Sequence, residues 1–84
     1  MVINIKKDHL DILISKVLVG KPKLLEEVNM STINYVITLN INPELADEIR
    51  DLAGEELQRI GFDENYKLTN DGQLLDEIVD IFLL

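Results

Sequence analysis

The chain has no cysteine and no tryptophan, a single histidine, two prolines and four glycines in 84 residues. Without thiols it can build neither a disulfide framework nor a thiolate zinc site, and cysteine-free chains suit a reducing compartment. One imidazole without nearby partners in sequence makes His9 a surface or boundary residue rather than a base or metal ligand. The four glycines, Gly20, Gly54, Gly61 and Gly72, are too scattered to form a phosphate-cradling loop. Ser15 and Ser31 have no neighbouring base. Gly72 at the sixth position of a calcium loop would put Lys67 at the first and Ile78 at the twelfth, where oxygen ligands are required, so an EF-hand is excluded. Neither a catalytic group, a metal site nor a cofactor site is expected.

Positive charge is also scarce. Eight Lys and Arg face sixteen Asp and Glu, for a net charge of −8. The imbalance is local: residues 1–41 hold four acids and five bases, and residues 42–84 hold twelve acids and three bases. A surface of that sign cannot replace the cations condensed on a phosphate backbone, which argues against nucleic acid. It is equally unsuited to anionic membrane surfaces, and no run nears the roughly 20 apolar residues that span a bilayer. Lys6 and Lys7 precede an apolar stretch, but Asp8, Asp11 and Lys16 interrupt it and no small-residue cleavage site follows, so a signal peptide is not expected. The reading is a cytoplasmic protein whose acidic half suits a basic protein partner.

What is present is periodicity. With 46% hydrophobic residues the chain is rich enough to fold, and its length allows one domain, 1–84. Asn42-Pro43 opens the clearest helix, over 43–60: Asn42 is a favoured N-cap and Pro43 suits the first helical position. Leu45, Ile49, Leu52, Ala53, Leu57 and Ile60 make an apolar stripe. Gly61 is placed to close it as a left-handed cap. Helices are also expected over 7–19, with Leu10, Leu13, Ile14, Val17 and Leu18 on one face, and over 70–82, capped by Thr69 or Asn70. Between Ser31 and Ile41 the period changes to two: Ile33, Tyr35, Ile37, Leu39 and Ile41 alternate with other residues, indicating a strand over 32–41. A lone strand leaves its backbone unpaired, so it requires residues 2–5 as a second strand, its own copy in a homodimer through Ile33–Ile41, or a strand from a partner. Residues 23–30 fit a short helical turn without settling it. The fold class is α+β, three amphipathic helices with one or two strands, the helices covering one sheet face.

Glu44, Glu48, Asp51 and Glu55 lie at helical spacing on the side of the 43–60 helix away from the stripe, a row of like charge that disfavours the helix by roughly 0.2–0.5 kcal/mol per pair. Arg50 and Arg59 offset part of it. Asp63, Glu64 and Tyr66 follow in a polar connection. Tyrosine flanked by carboxylates fits an interface with a basic surface, and it fits equally a ring packed over the last helix to hold the loop.

The runs GKP (Gly20 to Pro22), ADEIRDL (Ala46 to Leu52) and GFDENYKLTNDG (Gly61 to Gly72), the last continuing into Leu75, Ile78 and Asp80, resemble a pattern in short acidic bacterial proteins. Some of these look like immunity proteins of polymorphic or contact-dependent toxin systems. The resemblance implies an immunity protein or antitoxin that neutralises a basic toxin, such as a nuclease, by direct binding. It brings no active-site residues with it. The candidate contact set is Glu44, Glu48, Asp51, Glu55, Asp63, Glu64 and Tyr66. The alternative is a structural or regulatory homodimer with no toxin partner.

Overall fold

A computed structural model describes residues 1–83; Leu84 lies outside the described residues. The elements, in chain order, are β1 (Val2–Ile5), α1 (Lys7–Ile12) running into a π-helical turn (Leu13–Val17), α2 (Pro22–Glu27), β2 (Asn29–Ile33), β3 (Val36–Asn40), α3 (Pro43–Ile60) and α4 (Asn70–Ile81). The α+β class and the helices over 43–60 and 70–82 are as the periodicity indicates.

The interval 32–41 is not one strand. Asn34 and Tyr35 adopt positive φ (51° and 70°) and form a two-residue turn, the conformation whose twist matches an antiparallel hairpin. The chain therefore folds back, with β2 and β3 paired from Ile33↔Val36 to Asn29↔Asn40. β1 lies antiparallel on the other side of β3, from Ile5↔Ile37 to Val2↔Asn40. The sheet order is β1-β3-β2. Residues 2–5 are thus the second strand, and β3 has both edges occupied. The stretch Ile33–Ile41 expected to pair with its own copy is therefore split: its β3 part has no free edge, and the open edges belong to β1 and β2.

The two-residue turn also exchanges the faces. Ile37, Leu39 and Ile41 point into the core, whereas Ile33 and Tyr35, in the same alternating series, are solvent-exposed. The helices cover the face carrying Ile3, Ile5, Ile37 and Leu39. Their contributions to the core are Ile12, Leu13, Val17 and Leu18 from the first helical segment, Leu45, Ala46, Ile49 and Ala53 from α3, and Leu75 and Ile78 from α4, followed by Phe82. Burying a side chain of this kind contributes about 1.5–3 kcal/mol, so this cluster is the main source of stability.

The first helix departs from its expected course. The Leu18 N–H bonds the Leu13 carbonyl at 2.7 Å, an i to i−5 closure that adds one residue to the turn. The inserted residue rotates the face, so Ile14 is exposed and Ile12 is buried instead. The segment ends at Val17, and Gly20 at φ 74° turns the chain away. Among the described residues no helix is long and apolar enough to cross a membrane.

Candidate protein-binding surface

α3 starts as its sequence dictates. The Asn42 side chain accepts the Leu45 N–H at 2.7 Å and Pro43 occupies the first turn. Its far end works differently from expectation. Gly61 has φ −77°, an ordinary right-handed value, so it is not a left-handed cap. Its role is contact. A Cβ on Gly61 would lie 2.4 Å from the Leu57 carbonyl oxygen, and a Cβ on Gly72 would lie 2.0 Å from the Gly61 carbonyl oxygen. The two glycines let the backbones at the end of α3 and the start of α4 meet. Thr69 caps α4 by accepting the Gly72 N–H at 2.9 Å.

This seam fixes how α3 is presented. Its apolar stripe faces α4 and the π turn, which leaves Glu44, Glu48, Asp51 and Glu55 in solvent. At 1.5 Å per residue the row runs about 16 Å. The arginines compensate it unevenly. Arg50 bonds Asp47 at 3.2 Å and lies 3.5 Å from Asp51. Arg59 pairs with Glu56 at 2.8 Å rather than with Glu55. The hydrogen bond from Arg59 holds the Glu56 carboxyl below the usual range, helped by the charges of Arg59 and Lys16. Among the described residues no cation lies within ion-pair distance of Glu44, Glu48 or Glu55. These three have no cationic partner, whereas Asp51 shares the single charge of Arg50 with Asp47.

Beyond α3 a short loop is pinched by a bridge between Phe62 and Leu68. The Asp63 carboxylate turns inward on it, accepting the N–H groups of Asn65 (2.8 Å) and Lys67 (3.0 Å). Asp63 is thus a loop brace, its carboxylate already committed to backbone. Glu64 stays exposed. Tyr66, at φ 62°, is 88% exposed and does not pack over α4. The seven sequence candidates therefore separate into a row along α3 and a loop at its C-terminal end. Glu44, Glu48, Glu55, Glu64 and Tyr66 are free to meet a partner; Asp51 and Asp63 are engaged within the chain.

The sequence reading misplaced His9. It is 6% exposed and joined to Glu77 of α4. Nδ1 accepts the Lys6 N–H (3.2 Å), which leaves the proton on Nε2 to donate to Glu77 Oε2 (3.2 Å). Both ring nitrogens are used, so the imidazole ties α1 to α4. Lys6, Asp8, Asn70, Gln73 and Leu74 line the open cleft around it. No sequence signal could mark a pair 68 positions apart. Among the described residues no three His, Asp or Glu side chains are grouped to hold a metal ion.

Comparison of the chain with protein-family models, curated proteins and solved structures finds no match.

Proposed function

We propose that this chain is a stoichiometric inhibitor, an immunity protein or antitoxin that acts in the bacterial cytoplasm and neutralises a basic toxin domain, such as a nuclease, by laying its acidic α3 face over the toxin's cationic surface. The observation that carries the reading is the distribution of charge on α3: Glu44, Glu48 and Glu55 stand uncompensated while both arginines of the helix are spent on Asp47, Asp51 and Glu56. A rigid 18-residue helix holds these carboxylates at helical spacing, and a cationic groove built for phosphates accepts carboxylates on the same terms. Tyr66 supplies an exposed aromatic at the end of the row, the residue type that most often anchors an interface. No cofactor or metal and no catalytic step is part of the proposal.

The test pairs the chain with the product of the neighbouring upstream reading frame. Titration calorimetry at two salt concentrations should show tight binding that weakens as salt rises. Glu48→Lys combined with Glu55→Lys should weaken it by roughly 100-fold, on the scale of about 1.4 kcal/mol per reversed contact. Unchanged affinity at low salt, or an upstream product with no basic domain, would remove the acidic face from the argument.

A further inference from the structure

We infer that the gap between α1 and the β2–β3 hairpin is a binding recess for a small aliphatic carboxylate, its chain laid on Leu10 and Ile37 and its head on Lys7. The helical layer stops short of β2. Thr32 lies opposite Ile37 in the ladder, so both side chains point to the helix-covered face. Yet Ile37 is buried and Thr32 is exposed. The step between them leaves a recess of about 280 Å³, lined by Lys7, Leu10, Thr32, Tyr35 and Ile37. Its floor is apolar, and its polar groups are one ammonium and two hydroxyls. A small-molecule site has this make-up: an apolar body is covered and a few polar groups fix its orientation. The volume lies at the low end for such sites, roughly 300 Å³, so the ligand is small.

Charge selects the head group. The chain carries −8, and the clefts between α1 and α4 have acids in their walls, Asp8 and Glu77 in one and Asp8, Asp11 and Asp71 in the other. The recess under the hairpin has no acid in its lining, and its only charged residue is Lys7. Among the described residues no carboxylate lies within ion-pair distance of that ammonium. A single free cation beside apolar surface matches a singly charged anion with an apolar tail. The Thr32 hydroxyl is placed in the same lining to donate to the second carboxylate oxygen.

Tyr35 is an independent observation pointing to the same place. It sits at φ 70° in a turn position that glycine usually fills, and it is 95% exposed. Burial within the chain does not offset that strain. Strained residues of this kind cluster at ligand clamps and active sites. A tyrosine ring at the edge of the recess covers an aliphatic chain lying on Leu10 and Ile37, which gives the ring the apolar contact that the free chain denies it. No residue of α3 lines the recess, so this binding is separate from that of the acidic face.

Titration of the isotope-labelled chain with octanoate, followed through amide chemical shifts by nuclear magnetic resonance, tests this. Saturable shifts should gather at Lys7, Leu10, Thr32, Tyr35 and Ile37. Octan-1-ol, with the same tail and no charge, should bind roughly tenfold more weakly. Lys7→Gln changes one exposed side chain; it should weaken octanoate by about tenfold and leave octan-1-ol unchanged. Tyr35→Gly should weaken both probes by roughly fivefold. That variant relieves the strained turn, so its lost affinity does not come from unfolding, and the same spectra verify that it is folded. Shifts that never saturate, or that fall elsewhere on the chain, overturn the inference. So does equal affinity for the two probes, which would leave the recess to an uncharged apolar group such as a partner's side chain. Full octanoate affinity in Lys7→Gln overturns it as well.

Discussion

The α3–α4 pair and the β2–β3 hairpin are both units of two elements adjacent in the chain, yet they are built on opposite terms. In the helical pair the backbones touch at Gly61 and Gly72, Ile49, Ala53, Leu75 and Ile78 are fully buried, and charge is pushed to the outer faces. In the hairpin one strand is core and the other is entirely exposed, with no charge on either strand. The difference separates two ways of meeting other molecules. A helix satisfies its own backbone, so only side chains remain to speak for it, and on α3 these are carboxylates. An edge strand leaves its backbone unsatisfied, so N–H and C=O groups become the contact. The acidic face therefore suits a partner of opposite charge, and the uncharged edge suits a strand.

Changes on each side should have unequal effects. The largest is expected at the helical seam: Gly72→Ala drives a methyl group into the Gly61 carbonyl, which is backbone and cannot step aside. Overpacking of this kind should cost about 3 kcal/mol or more, and should lower the thermal midpoint by on the order of 12 °C or more. A midpoint within a few degrees of the parent would show that α3 and α4 are not held in backbone contact.

Next comes the tie between α1 and α4. His9→Ala leaves the Lys6 N–H without its acceptor and opens a gap, a loss of about 2 kcal/mol in urea titration. Glu77→Gln retains an oxygen that can accept from Nε2–H, and should cost less than about 0.5 kcal/mol. Equal losses in the two variants would mean that the carboxylate charge, and not the hydrogen bond, holds the helices together.

The smallest effect should appear in the hairpin, with the opposite sign. Tyr35 is 95% exposed at φ 70°, where an L side chain is strained by roughly 1–2 kcal/mol. Tyr35→Gly relieves that strain and gives back about 0.5–1 kcal/mol through the freedom of glycine in the unfolded chain. A net gain of about 0.5 kcal/mol in the same titration would mark the turn as strained. A loss would show instead that the tyrosine ring contributes contacts to the hairpin.

The turn also shows where sequence periodicity stops being informative. From Ile33 to Ile41 the odd-numbered residues keep a period of two without a break, as one strand would. Pairing 33 with 36 shifts parity by one, so odd residues face solvent in β2 and the core in β3. The usual glycine of such a turn is absent, and Asn34-Tyr35 gives no comparable warning. The π turn misleads in the same way: one additional residue rotated Ile14 out and Ile12 in. Within the acidic set, residue type and helical spacing were enough to place Glu44, Glu48 and Glu55 in solvent. They could not show that Arg50 attends Asp51 or that Asp63 braces its own loop, because those depend on rotamers and local turns.

Local chemistry by itself determined the helices over 43–60 and 70–82, the cap at Asn42, a second cap at Thr69 or Asn70, the α+β class and the asymmetry of charge. Each follows from near neighbours in the chain: a stripe every three or four residues, an oxygen poised over free N–H groups, an excess of carboxylates after residue 42. Only the tertiary structure decided the three-strand order, the part-buried bond from His9 to Glu77, the need for Gly61 and Gly72 as a pair, and which strand edges are left open. These join positions distant in sequence, and close packing together with the pairing of buried polar groups selects them once the elements meet.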